Sequence, residues 1–167
     1  SLPFKHSICN EIYGKRPLAE VCRSVREIGY TGIEIAPFTL SESPLDLSTP
    51  QRREDRDLIQ SEGLTFVGLH WLMVSPAGLH VTTPDHGLRE KSWRHIRDLV
   101  DLCADLSCTP DDGGVMVFGS PKQRSSMGGL TAAEATRHYV EGLAGVAPHA
   151  ESRGVTILVE ALPKNQS

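Results

Sequence analysis

Ionisable groups that interrupt or end apolar runs are the residues of this sequence best placed to do chemistry. Glu34 sits inside GIEIA, His70 ends TFVGLH and Glu160 ends VTILVE, while Glu11 and the amide Asn10 follow the first strand. A carboxylate carried into a sheet interior costs several kcal/mol unless it is paired or bound to a metal. Each has a plain structural reading: Glu34 as a carboxylate hydrogen-bonded to a neighbouring strand or paired with a Lys, His70 as a satisfied core histidine. Together, carboxylate, imidazole and carboxylate at the same end of successive parallel strands point to one shared polar pocket, where α/β folds place their sites.

The elements that position these residues follow from periodicity. Short β-rich runs predict five strands, over Ser7–Ile12, Gly32–Ala36, Thr65–Met73, Val115–Gly119 and Val155–Ala161. None alternates cleanly between apolar and polar, which predicts strands covered on both faces. Strand four contributes only Gly119 and Ser120 at its end. The stretches between carry helical spacing. Leu18, Val21, Cys22, Val25 and Ile28 make one stripe closed by Gly29. Ser48, Thr49 and Pro50 open a charged helix whose charge run reads as a solvated face. A third helix runs from about Pro84 to Leu106, and a fourth opens on the capping box Thr131 to Glu134 and stops at Gly154. The order is β1α1β2α2β3α3β4α4β5, a parallel α/β fold in one domain over 1–167 with right-handed connections.

Composition narrows the function classes. Seventeen Lys plus Arg against twenty-one Asp plus Glu leave a net charge of −4, which offers no electrostatic footprint for nucleic acid or an anionic membrane. No apolar stretch approaches the ~20 residues of a membrane span. Cys9, Cys22, Cys103 and Cys108 form no CxxC pair, which predicts reduced structural thiols and a cytoplasmic setting. The sequence lacks GxGxxG after a strand, a Walker loop, GxSxG and HExxH, so dinucleotide, NTP, serine-hydrolase and zincin chemistry lose their signatures. His80, His86, His95, His138 and His149 have no ligand spacing and read as surface groups.

GYTGIEIAPF, VGLHWLMVSPAGLH, VMVFGSP and ILVEALP, in this order and on these strands, resemble the xylose isomerase-like family of TIM barrels. The resemblance covers nearly the whole chain and implies a (β/α)8 barrel of which only about β1 to β5 are present. In that family the glutamate ending strand five binds a single divalent cation and is one of two carboxylates that move a proton between adjacent sugar carbons. Glu160 stands at that position. The resemblance therefore implies Glu160 as catalytic residue and metal ligand, one divalent metal ion (Mn, Mg, Co or Zn), and a small sugar or sugar phosphate as substrate. It implies Glu34 and His70 as substrate-binding groups, Trp71 and Phe38 as walls of the sugar site, and Ser120, Asn165 and Gln166 as polar residues near the substrate.

The implied reaction is isomerisation or epimerisation through an enediolate, the cation polarising the substrate carbonyl and a carboxylate acting as base. The family's other ligands, an Asp, a His and a second Glu, come from strands six to eight, beyond Ser167. On this reading the 167 residues alone neither hold a cation firmly nor turn over a sugar. One alternative is an endonuclease IV-like nuclease of apurinic sites on the same scaffold. It resembles the sequence less well, since Ser120 stands where that enzyme has a histidine. A non-catalytic barrel fragment or binding module is the other. A barrel missing three strands would expose sheet edges that invite association, so a homo-oligomer is an expectation too. Spacing agrees: Asn10 to Glu160 covers four steps at about 37 residues each, so eight need about 300.

Overall fold

The computed structural model describes residues 6–109, 112–119 and 129–160. Ser120, Asn165 and Gln166 lie outside them. The strands are β1 (Ser7–Cys9), β2 (Gly32–Ile35), β3 (Thr65–Leu69), β4 (Val115–Phe118) and β5 (Thr156–Val159). They pair in parallel in the order β1-β2-β3-β4-β5. Between them run α1 (Leu18–Ile28), α2 (Thr49–Ser61), α3 (His86–Leu106) and α4 (Ala132–Ser152). This is the predicted order, and with right-handed crossovers a sequential sheet carries its helices on one face.

Helix boundaries follow the caps. The Ser48 side chain accepts from Gln51 N and Thr131 from Glu134 N, each closed into a capping box by the returning Gln or Glu side chain. Asp85 caps α3 through Leu88 N, so this helix starts two residues later than Pro84. Gly29 closes α1 in the left-handed conformation.

Burial alternates along β4, while in β2 and β3 the glycines Gly32 and Gly68 are buried as well. Ile33, Ile35, Leu69, Met116 and Phe118 are buried against Val21, Val25, Ile59, Ile96 and Leu99 from the helices. Glu34, Val115 and Val117 on the opposite face are only half-buried, and Leu158 is exposed. The sheet is thus covered on one face, and the expectation of cover on both does not hold among the described residues.

Three differences have local causes. The first strand stops at Cys9 because Asn10–Tyr13 forms a 3-10 turn, fixed by the buried Asn10 amide. Asn10 Oδ1 accepts from Ala36 N at 2.8 Å and its Nδ2 donates to Thr39 Oγ1 at 2.9 Å, tying the end of β1 to the turn Pro37–Thr39. β3 stops at Leu69 because Trp71 turns the chain with φ +61°. In α2 the charge run is not wholly solvated: Arg52 is 8% exposed, donating to Asp105 at 2.9 Å and to the Pro44 and Leu47 carbonyls. Arg153 donates to Asp105, and His149 meets Asp101 at 2.8 Å, so one ionic cluster joins α2, α3 and the end of α4. Among the described residues no helix is long and apolar enough to cross a membrane.

Candidate active site

In-register residues of parallel strands share a face, so Cys9, Glu34, Gly68, Val115 and Thr156 form one row across the open face. Glu34 is half-buried in this row, beside the Cys9 thiol. Burial raises that thiol to about 11, and the nearby Glu34 and Glu11 carboxylates act in the same direction. Gly68 has no room for a side chain, because the Val115 backbone occupies the space.

Two residues further on, His70 reaches the level of Val117 and Leu158. Its N–H donates to Ile35 O at 3.1 Å, extending the ladder one step past β3. Its ring stacks on Trp71, with centroids 5.7 Å apart and planes at 25°. Trp71 is 48% exposed although large and apolar, and its positive φ is unusual for a bulky residue. Leu72 and Met73 then return to the core.

Glu160 lies at the top of β5, where its N–H donates to Phe118 O at 3.2 Å and carries the β4–β5 pairing one step past Val159. Its carboxylate lies over Gly119. Glu160 is exposed, so the burial cost expected of a carboxylate in a sheet interior is not incurred. Phe38, in the turn after β2, is half-buried.

The structure therefore brings together His70 with Trp71, Glu34 with Cys9, and Glu160 with Gly119. Glu34, His70 and Glu160 share the open face at rising levels: four register steps, about 13 Å of strand, separate the Glu34 row from Glu160. Two grooves of about 530 and 570 Å³ lie on the helix side, one between α3 and α4 and one between α4 and β5; neither includes Glu34, His70 or Glu160.

Of the histidines expected at the surface, His86 is exposed, whereas three others hold the backbone. His95 is 6% exposed and contacts Leu72 O at 2.8 Å, His138 contacts Thr82 O at 3.2 Å, and the His80 ring accepts from Thr82 N at 3.2 Å. Trp93 Nε1 donates to Val81 O at 3.0 Å and Ser92 Oγ accepts from His80 N at 2.8 Å. These bonds fasten the long segment after β3 to α3 and α4. A signal for His95 was present, since it lies beside Ile96 on the Ser92, Ile96, Leu99 and Cys103 face of α3.

Among the described residues no group of three His, Cys, Asp or Glu side chains is arranged to hold a metal ion. Glu160 offers one hard oxygen donor, which does not by itself fit a mononuclear site, whose cation needs several ligands.

A parallel sheet in sequential strand order with its helices against one face is the arrangement of part of a β/α barrel. The chain belongs to the xylose isomerase-like TIM barrel family, whose profile matches residues 22–167. No curated protein matches it. It is similar in fold to the D-psicose 3-epimerase of Clostridium cellulolyticum H10 solved with D-tagatose, at 19% identity and TM-score 0.77, over 98% of this chain and 54% of that one. A D-psicose 3-epimerase solved in the presence of D-fructose matches at 16% identity and TM-score 0.76, with the same coverage. An AP endonuclease, family 2, from Brucella melitensis matches at 18% identity and TM-score 0.65, over 97% of this chain and 57% of that one. The chain spans about half the length of these structures.

Proposed function

We propose that the protein carrying this chain is an isomerase or epimerase of a small sugar or sugar phosphate, moving a proton between adjacent carbons through an enediolate. The observation that carries this reading is the Glu160 carboxylate, set at the end of β5 over the bare backbone of Gly119 in a barrel of this family. A carboxylate there can take the proton from the carbon next to the substrate carbonyl, leaving the electron pair on the enediolate, and a proton returned to the other face of that carbon inverts it. His70 and Trp71 after β3, Phe38 after β2 and the half-buried Glu34 bind the substrate on the same open face. Ser120 and Gln166 join the proposal from outside the described residues.

A divalent cation (Mn, Mg, Co or Zn) supplies, when bound, the positive charge that stabilises an enediolate. The described residues contribute Glu160 alone toward holding it, so no step is assigned to it here. Fold similarity to solved ketose 3-epimerases supports the sugar reading, and the net charge of −4 weighs against the abasic-site nuclease.

The test is to incubate the full-length protein with D-fructose and D-tagatose, and separately with a duplex containing an abasic site, with and without EDTA. Conversion of a ketose that EDTA abolishes is expected. Strand cleavage without ketose conversion would replace the epimerase reading with the nuclease.

A further inference from the structure

Gly119 is not among the glycines with positive φ, so no backbone conformation reserves its position for glycine. Space does. A methyl group at 119 would fall on Glu160 Oε2 and lie 3.2 Å from Cδ and 3.3 Å from Cβ of the same side chain. Gly68 and Gly113 differ: there a methyl would meet the backbone of Val115 or Arg153, a requirement of chain packing alone. Gly142 gives way to the indole of Trp93. Gly119 is the glycine of the described residues at which a methyl would overlap a carboxylate.

The two residues are also register neighbours. Phe118 pairs with Val159, and Glu160 N–H donates to Phe118 O, so residues 119 and 160 fall side by side at the carboxyl ends of β4 and β5. A side chain on 119 would stand on the open face where the carboxylate now lies.

We infer that Gly119 is a positioning residue for Glu160: its bare backbone lets the carboxylate lie across β4, and a side chain there turns the carboxylate away from the reacting carbon. The inference rests on the proton-transfer role proposed for Glu160.

The full-length protein is compared with Gly119→Ala and Gly119→Ala/Glu160→Ala. In an active enzyme, Gly119→Ala lowers kcat by ~10²-fold, the cost of a misplacement of about 1 Å, while KM changes far less. Crystal structures of the wild type and Gly119→Ala show the Glu160 carboxylate displaced. An unchanged kcat, or a carboxylate in the same place in both structures, overturns the inference. If the wild type converts no ketose, the proton-transfer reading fails, and the pair of structures still decides whether Gly119 places Glu160. If Gly119→Ala does not fold, folding of the double variant supports the steric link and its failure to fold overturns it.

Discussion

The His95 imidazole on α3 holds the carbonyl oxygen of Leu72, 2.8 Å from Nε2, immediately after the left-handed Trp71. A carbonyl can only accept, so Nε2 carries the proton. Burial lowers the His95 pKa from its ordinary value of 6.5, with the Leu72 carbonyl and the Asp98 carboxylate pulling the other way. The unfolded chain thus binds the proton more readily than the folded one. This contribution to stability is complete above about pH 6.5 and is lost as pH falls through the lowered folded value. His95→Phe leaves the Leu72 carbonyl unpaired at a cost of ~1–3 kcal/mol. Urea unfolding of both proteins should show their stability difference shrinking on acidification from pH 8; a difference that grows contradicts this.

Asn10 offers a second, pH-independent test. Its amide accepts from Ala36 N and donates to Thr39 Oγ1 while buried. Asn10→Ala strands the Ala36 N–H, and Thr39→Val strands the Asn10 amide N–H and removes the Thr39 hydroxyl from Ala36 O at 2.6 Å, so each should cost ~1–3 kcal/mol. A denaturant titration in which either variant is as stable as the wild type would deny the clamp.

Two glycines of α4 should respond oppositely to alanine. A methyl on Gly142 overlaps the Trp93 indole, which also faces Phe118 and Tyr139 at centroid distances of 5.9 Å, so Gly142→Ala should destabilise by ~1–3 kcal/mol through forced repacking. Nothing lies within 4 Å of a methyl on Gly145, so Gly145→Ala should stabilise by ~0.5–1 kcal/mol through helix propensity. Thermal melts of the two variants, falling and rising, check both.

The four free thiols should separate by reactivity. Cys108 is exposed, while burial pushes Cys22 up to about 11 and Cys103 up to about 12; the Cys103 thiol also donates to Gly113 O at 3.1 Å. The thiolate is the reactive form, so a disulfide reagent at pH 8 should modify Cys108 first and reach Cys22 and Cys103 only on unfolding. Prompt labelling of Cys103 in the native protein would contradict its placement.

Much of this architecture was legible in residue spacing. The stripe Val21, Cys22 and Val25, the caps Ser48 and Thr131, and the apolar runs ending in His70 and Glu160 are local patterns, and the elements follow them. Ile28, expected in the stripe Leu18 to Ile28, is exposed because it is the last residue of α1. What spacing did not reveal depends on partners distant in the chain. Arg52 is buried because Asp105, far along the sequence, receives it, although its place seven residues before Ile59 on one face of α2 was a usable sign. Trp71 ends β3 through a backbone conformation that no residue preference predicts. Glu160 was legible as a carboxylate closing an apolar strand, but the vacancy beneath it belongs to β4 and appears only when register sets Gly119 beside it.

Solvent hydrogen exchange tests the role of Glu160 most directly. In D2O with D-fructose, the full-length wild type should introduce deuterium at the carbon next to the carbonyl, read by NMR, and Glu160→Gln should slow that exchange by at least ~10²-fold, the usual contribution of a general base. Exchange by Glu160→Gln at the wild-type rate would contradict the assignment of proton transfer to this carboxylate.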